Sequence, residues 1–514
     1  MTKSGKLPKH SFGPTAQDVL SHSGNSEVYS AFESACRFLG FDNNIYYNFN
    51  VGIEAYDRHD LRFYHGLSHG QLTALAAEDE TRKLARAAAL KRAEKRYTKS
   101  VLTVGGWYHD AVYLQVDGGL HHTIEEILKQ YVTFSSQEQH HAEIHNAARL
   151  SAVGKIVCDV FGFRPGQTIA LSAEEDCPGG LNEFLSAIVA AHCLAGGKKL
   201  SRRQRKNIAA VAAVIEASIP FRPSSLFEGL YQRLKGVGLS AHKAKITVKG
   251  AVLLANHDVE GFCGGPISVN STLEARFREY ISGTWQLIPE ANPGLREDNY
   301  TPALFCKAIR NSHSFTMIKL NHDNIFHSFR GVPNAEEMAV MREHAQHNLS
   351  LFDSYMSAKI ASATIVEAIA LSVDPRGETA LRELVEGNKL PDQIKHRFEG
   401  DEELIHKFLV DRGVDAPMGW DSRQSPIAAY LMRTIGTKGI YDIVALAAKN
   451  RTSDVLDHHS FLEEVGDTHP EALRDIASSL MKVAIVQQMG AHAREHILTR
   501  RVGLLQQIRD DLRM

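Results

Sequence analysis

The chain has 514 residues, of which 43% are hydrophobic, and 58 Lys and Arg nearly balance 60 Asp and Glu to give a net charge of -2. This length is enough for two or three domains with their own cores. The near-neutral charge argues against a general affinity for nucleic acids or membranes, so a role of that kind would need a local patch. We therefore expect neither a membrane nor a nucleic acid as partner.

The six cysteines are scattered through the chain and form no Cys-x-x-Cys pair: Cys36, Cys158, Cys177, Cys193, Cys263 and Cys306. This pattern is typical of free thiols in a reducing compartment. The first twenty residues lack the apolar segment of a signal peptide, and no apolar run reaches membrane-spanning length. We expect a cytoplasmic protein, although an effector exported by a specialised system would show the same features.

Apolar residues recur at helical spacing along most of the chain. In "KSVLTVGGWYHDAVY" (99–113), positions three or four residues apart mark one buried helix face: Val101, Val104, Tyr108 and Val112. Segments 202–219 and 245–262 repeat the pattern, and strand-like alternation is short and rare. We interpret "QEQHHAEIHNAARL" (137–150) as a solvated helix face. The sequence predicts an all-α fold.

A Gly-Val-Pro turn in "SFRGVPNAEE" (328–337) separates two long helical stretches. It predicts an N-terminal helical extension over 1–44, a main helical domain over 45–330 and a helical C-terminal domain over 335–514. The last segment, 470–514, is amphipathic and rich in Ala, Leu and Arg. We favour its packing on its own domain over a docking role, and these helices are the candidates for a homo-oligomer contact.

Three short segments carry residues that suit a metal site. "RFYHGLSHGQL" (62–72) has two histidines four positions apart, "GWYHDAVY" (106–113) has a His-Asp pair, and "LLANHDVEGF" (253–262) places Asp258 after an apolar helix face. A divalent metal needs three or four nitrogen and oxygen ligands that converge from separate elements. Burying Asp258 without a partner would cost several kcal/mol, so it requires a cation or a hydrogen-bond donor.

The motifs "YHGLSH" (64–69) and "WYHDAVY" (107–113) resemble the Tyr-His-Asn-x-x-His and Trp-Phe-His-Asp-Ala-Val-Tyr motifs of the HD superfamily of metal-dependent phosphohydrolases. The resemblance covers roughly residues 45 to 265 and implies an HD-type helical domain followed by a helical accessory domain. It implies one set of metal ligands: His69, His109, Asp110 and Asp258. His65 would lie beside the metal, and the reverse assignment of the two histidines stays open because positions i and i+4 share a face.

The chain departs from this family at several positions. Gly66 replaces the usual Asn, and Leu114 stands where relatives often have an acidic residue. The long spacing from Asp110 to Asp258 implies an insertion around 160–240. In "AVIEASIPFRP" (213–223), the histidines of binuclear relatives are missing. The sequence therefore favours one divalent ion, and it does not distinguish Mn, Mg, Fe, Ni or Zn.

The resemblance implies hydrolysis of a phosphomonoester, a nucleotide or a related small phosphate compound by metal-activated water. Asp110 and His65 would be catalytic, with Asp110 orienting or deprotonating the nucleophile. Glu125 would donate a proton to the leaving group. Arg62 and Arg222 would stabilise the charge on the phosphate of the substrate.

Two alternatives remain. The first is a phosphodiesterase on a cyclic nucleotide or single-stranded nucleic acid, which a wide groove beside the metal, lined by the basic residues of 83–99 and 198–206, would favour. The second is a non-catalytic regulatory protein with a degenerate HD fold, in which the C-terminal helices are the working part. The presence of all four predicted ligands argues against this second alternative.

Overall fold

The structure, a computed structural model, describes residues 23–57, 61–134, 140–174, 177–263, 272–297, 299–319, 325–373, 376–385, 390–411 and 425–483. The prediction of an all-α fold is confirmed, since helices dominate these residues and the strands form only small sheets. Within this part of the chain, no helix combines the length and the apolar character needed to cross a membrane.

The chain forms two compact units. The first comprises Met1–Asp258 and His327–Ala335, and the second comprises Val259–Phe326 and Glu336–Met514. These units do not follow the predicted segment boundaries, because residues 259–326 belong to the second unit. The predicted roles of the three segments stay predictions.

The first unit contains eleven of the described helices, the last of which ends at the unit boundary. In chain order they are α1 Ser23–Leu39, α2 Ile45–Tyr56, α3 Leu67–Ala88, α4 Arg92–Tyr108, α5 Leu114–Asp117, α6 His122–Leu128, α7 Ala152–Phe161, α8 Leu181–Ala195, α9 Arg202–Ala217, α10 Leu226–Gly236 and α11 Ala241–Asp258.

Helix α4 is the centre of the first unit and packs against α1, α3, α8, α9 and α11. The apolar face predicted for it is buried, and Trp107 and Tyr108 are fully enclosed. Two glycines let neighbouring helices approach closely. A Cβ atom on Gly105 would lie 2.5 Å from the side chain of Val214 on α9, and one on Gly106 would lie 2.9 Å from the Thr73 carbonyl on α3.

Three short strands, which lie between α6 and α8 along the chain, form a small antiparallel sheet. It consists of β1 Val132–Phe134, β2 His141–Ile144 and β3 Thr168–Ala170, in the order β1-β2-β3. The interpretation of 137–150 as a solvated helix face is wrong for its described residues. Alternate residues of β2, such as Ala142 and Ile144, are fully buried, which is strand periodicity rather than helical periodicity.

The two histidines of this segment have structural partners. His145 is 6% exposed and bonds through Nδ1 to the Gln130 carbonyl at 3.1 Å. His141 lies 3.0 Å from the Glu174 carboxylate.

The second unit is built around a 39-residue helix, α14. Its described helices are α12 Leu273–Ala291, α13 Pro302–Lys319, α14 Ala335–Val373, α15 Leu381–Val385, α16 Glu402–Val410, α17 Pro426–Lys449, α18 His458–Thr468 and α19 Pro470–Val483, with a hairpin of β4 Arg451–Thr452 and β5 Val455–Leu456 between α17 and α18. Glu367 of α14 forms a buried two-point ion pair with Arg451, at 2.5 and 3.1 Å. Such a pair satisfies both charges that burial would otherwise penalise.

The amphipathic segment 470–514 is described only as far as α19. Within the second unit, α19 buries the side chains of Ala472, Ile476 and Leu480. This part of the segment packs on its own unit, as we favoured, and residues 484–514 lie outside the described residues.

We predict that Gly105→Ala lowers the free energy of unfolding by about 1–3 kcal/mol, because the added Cβ overpacks the contact with Val214. Gly236→Ala is the matched control. It also lies in a helix of the first unit, but its Cβ would meet nothing within 4 Å. The control should leave stability unchanged or raise it by up to about 1 kcal/mol. Urea titrations of both variants would measure the difference, and equal midpoints would contradict close packing at Gly105.

Candidate metal centre

The four side chains predicted as metal ligands lie at the ends of three helices of the first unit. His69 is in the first turn of α3. His109 and Asp110 directly follow the last residue of α4, and Asp258 is the last residue of α11. Four ligand atoms, one from each side chain, lie within 4.8 Å of one another. The structure thus brings together a group that could hold a metal ion.

The distances between these ligand atoms are short. Nε2 of His109 lies 3.2 Å from Nε2 of His69, 3.0 Å from Asp258 and 2.9 Å from Asp110. Nε2 of His69 lies 2.9 Å from Asp258 and 3.4 Å from Asp110. Metal–ligand bonds of about 2.1 Å, meeting at angles of about 90–109°, separate ligand atoms by about 3.0–3.4 Å. The cluster therefore has the spacing that one divalent ion requires, and its nitrogen and oxygen donors suit a transition metal.

The backbone of α4 orients the His109 ring. Its Nδ1 lies 2.8 Å from the carbonyl oxygen of Gly106, which can only accept a hydrogen bond, so Nδ1 carries the proton. When the ring is neutral, the lone pair of Nε2 therefore points towards the cluster, the arrangement that metal-binding histidines use. The same glycine lies against Thr73, whose hydroxyl donates to the His69 carbonyl at 3.0 Å.

The electrostatics of the cluster are those of two imidazoles held between two carboxylates. Burial alone would lower the pKa of His69, but its bonds to Asp110 and Asp258 outweigh burial and raise that pKa to about 9. Burial would raise the pKa of Asp110, but His109 and His69 hold it well below its usual range. A bound cation would replace these protons as the positive partner of the two carboxylates.

Arg62 has a structural position, in contrast to the phosphate contact expected of it. Its side chain is 0% exposed, and it forms a two-point ion pair with Asp117 at 2.6 Å for both bonds. Its Nη1 donates to the Asp110 carbonyl at 2.7 Å. The donors of Arg62 are thus used inside the protein, where they fix the backbone of a proposed ligand.

His65 lies beside the cluster but outside the group of four. Its ring stacks on Tyr113 at 4.2 Å, and its centroid is 5.7 Å from that of His69. The charge of His65 is among those that lower the pKa of Asp110, after the larger contributions of His109 and His69. The structure therefore favours His69 over His65 as the ligand, and the catalytic role of His65 stays a prediction.

Glu183 is a residue of this region that the sequence did not single out. It lies in the first turn of α8, between Asn182 and Ser186. Asn182 accepts a hydrogen bond from the Leu114 amide at 3.1 Å, and Ser186 accepts one from the Val112 amide at 3.0 Å. These bonds attach the start of α8 to the chain that follows Asp110.

The charges of the cluster act on the carboxyl group of Glu183. Burial raises the pKa of Glu183 to about 7; the charge of Asp110 adds to this, while those of Arg222 and His109 oppose it. A signal was present in "LNEFLSA" (181–187), an acidic residue in an otherwise apolar helix start. It was missed because residues 160–240 were interpreted as an insertion.

Glu125 and Arg222 differ in their relation to the cluster. Glu125 is on α6, where it pairs with Lys129 at 3.1 Å, and nothing in the described part of the chain connects it to the four ligands. Arg222 bonds to Glu216 at 3.0 Å, and its charge acts on Glu183. Its Nε is buried and has no partner among the described residues. Arg222 remains a candidate for the phosphate contact.

Comparisons of this chain with known protein families, with curated proteins and with solved structures found no match. The function is therefore argued from the site itself.

We predict that metal affinity rises with pH. His69 has a pKa of about 9 without metal and is protonated at pH 7, yet it must be neutral to bind a cation. The apparent affinity for Mn²⁺ should therefore increase up to about pH 9, with release of at least one proton per ion. Calorimetry in buffers of different ionisation enthalpy measures this release.

His242→Gln, which changes an exposed histidine bonded to Glu94, is the control and should behave as the wild type. His69→Gln should bind Mn²⁺ more weakly and release fewer protons. An affinity that is independent of pH would contradict this description of the cluster.

Proposed function

We propose that the protein is a metal-dependent phosphohydrolase of the HD type that acts on a phosphomonoester, a nucleotide or a related small phosphate compound. The observation that carries the proposal is the convergence of His69, His109, Asp110 and Asp258. The motif resemblance around the first three of these residues supports the same assignment.

The side chains of the cluster suit this chemistry. When bound, a divalent ion would act as a Lewis acid towards a phosphoryl oxygen and a water molecule. His69, Asp110 and Asp258 have side chains that are 13–16% exposed, whereas His109 is 2% exposed. Three of the four side chains thus keep a small accessible surface. Asp110 is ionised because its pKa is low, so it can accept a hydrogen bond from the attacking water and orient it.

We assign the protonation of the leaving group to Glu183 rather than to Glu125. A carboxyl group with a pKa of about 7 is partly protonated near neutral pH, as a general acid must be. Arg222, whose charge acts on Glu183, would neutralise the charge on the phosphate of the substrate. We assign these roles in place of the expected roles of Glu125 and Arg62.

The phosphodiesterase alternative depended on a basic groove beside the metal. Residues 92–99 form the start of α4, whereas the cluster lies at its other end. A helix of 17 residues is about 25 Å long. Residues 202–206 lie at the same remote end, because Arg203 bonds to the carbonyl of Phe38, over which Arg96 stacks. These basic residues therefore do not line a groove beside the cluster, which was the feature that would have favoured a nucleic-acid substrate.

We predict that the wild type, supplied in turn with Mn, Mg, Fe, Ni or Zn, hydrolyses at least one member of a panel of phosphate esters and nucleotides. Asp110→Asn should lower kcat/KM by more than about 100-fold. Removing a residue that hydrogen-bonds to a metal ligand typically costs about 10–100-fold, and removing the ligand itself should cost more. Asp79→Asn, at an aspartate whose side chain is 69% exposed, is the matched control and should retain activity. A wild type that binds metal but is inactive on the whole panel would contradict the proposal.

We predict that Glu183→Gln slows hydrolysis of alkyl phosphates by about 100-fold or more, because these poor leaving groups need a proton. The same variant should affect p-nitrophenyl phosphate much less, since that leaving group departs as an anion. The wild type should lose activity on alkyl phosphates as the pH rises above about 7, where Glu183 loses its proton. Glu125→Gln is the control, and equal losses on both substrates would indicate a structural role for Glu183.

A further inference from the structure

One end of the first unit carries a concentration of positive charge that the net charge of the chain conceals. Segments 91–96, 198–206 and 241–245 lie at or just before the starts of α4, α9 and α11. Together they contain twelve Lys and Arg and a single acidic residue, Glu94. We call these cations the basic face: Lys91, Arg92, Lys95, Arg96, Lys198, Lys199, Arg202, Arg203, Arg205, Lys206, Lys243 and Lys245. All are exposed except Lys206, which is half-buried.

Contacts between the three helix starts show that these charges share one surface. Arg96 lies over the ring of Phe38 at 4.7 Å, and Arg203 donates to the Phe38 carbonyl at 2.6 Å. Lys243 lies over the ring of Tyr97 at 4.4 Å. Helices α4, α9 and α11 pack against one another in pairs, and the contacts above place their starts at the same end of the unit.

The positive charges of the basic face are not neutralised by the protein. None of the twelve forms an ion pair with a carboxylate in the described part of the chain, and Glu94 instead bonds to the Lys91 amide and to His242. Partial burial lowers the pKa of Lys243, and the charges of Arg203 and Lys206 lower it further. Like charges held together in this way favour a polyanionic ligand.

The basic face is separate from the metal centre. Helix α11 begins at the basic face and ends at Asp258, and its 18 residues span about 26 Å. A single small substrate cannot reach both. A ligand of the basic face would therefore bind apart from the cluster, and such binding does not depend on hydrolysis there.

We propose that the basic face binds the sugar–phosphate backbone of a nucleic acid without regard to sequence. The cations are spread over three helix ends rather than aimed at one point, which suits a chain of phosphates better than one phosphate ion. Arginine and lysine are the side chains that contact nucleic-acid backbones. A membrane surface fits less well, because Leu200, the large apolar residue of these segments, and Tyr97 directly after the first segment are both buried and do not offer an apolar side chain for insertion.

The test uses the full chain in the presence of EDTA. The probes are labelled oligonucleotides of about 20 nucleotides, as single-stranded RNA, single-stranded DNA and duplex DNA. Fluorescence anisotropy measures their binding. The variant combines Arg92→Glu, Arg202→Glu and Lys245→Glu, one substitution from each helix. Arg92 and Arg202 are the first residues of their helices, where glutamate is favourable, and Lys245 is an exposed residue of α11, so folding is not expected to suffer. The control combines Arg149→Glu, Lys155→Glu and Arg164→Glu, at exposed residues elsewhere in the first unit, and has the same net charge.

We expect the wild type to bind at least one of the three probes. The variant should lower the affinity at least tenfold, and the slope of log affinity against log salt should decrease by about 2–3 as three phosphate contacts are lost. The control should stay close to the wild type. The proposal would be overturned by equal losses in both triple variants, by no binding to any probe at low salt, or by binding to phosphatidylserine vesicles without binding to nucleic acid.

Discussion

The first unit has to hold two carboxylates and two imidazoles within hydrogen-bond distance of one another at a largely buried position. Two negative charges at this spacing repel each other, so the arrangement is stable only with positive charge between them. In the metal-free protein the histidines supply it, which explains their raised pKa values. A metal ion at this cluster would therefore compete with the protons, and the packing of the surrounding helices keeps the four side chains close together.

Several interactions of the first unit contribute to this constraint. Close packing of α3 on α4 sets the separation of the two imidazoles. The buried pair of Arg62 and Asp117 fixes the chain beyond α4, and the side chains of Asn182 and Ser186 attach α8 to the same segment. Hydrogen bonds to backbone atoms thereby hold the segment that follows α4, from Arg62 to the Asp110 carbonyl and from the start of α8 to the amides of Val112 and Leu114. Backbone atoms give a more rigid attachment than flexible side chains alone, which suits a site that depends on distances of about 3 Å.

The sequence was informative where a local pattern carries the structural signal. Helical periodicity predicted the fold class, and two motifs with an isolated carboxylate, Asp258, predicted the set of four that the structure brings together. The sequence was less informative where the determining contact is distant along the chain. The burial of Arg62 depends on Asp117, 55 positions away, and the position of Glu183 depends on how α8 folds back on the segment after Asp110. Residues 141–144 pair as a strand only because 132–134 and 168–170 lie beside them.

Gly106 links the geometry of both imidazoles. Its carbonyl oxygen accepts a hydrogen bond from the His109 ring and so sets the rotation of that ring. Because it has no side chain, α3, which carries His69, can pack closely against it at Thr73. A change at Gly106 would therefore alter both the orientation of the His109 ring and the position of His69. Anyone transplanting this ligand set into another helical scaffold would have to transfer the glycine with it, although it contributes no ligand atom.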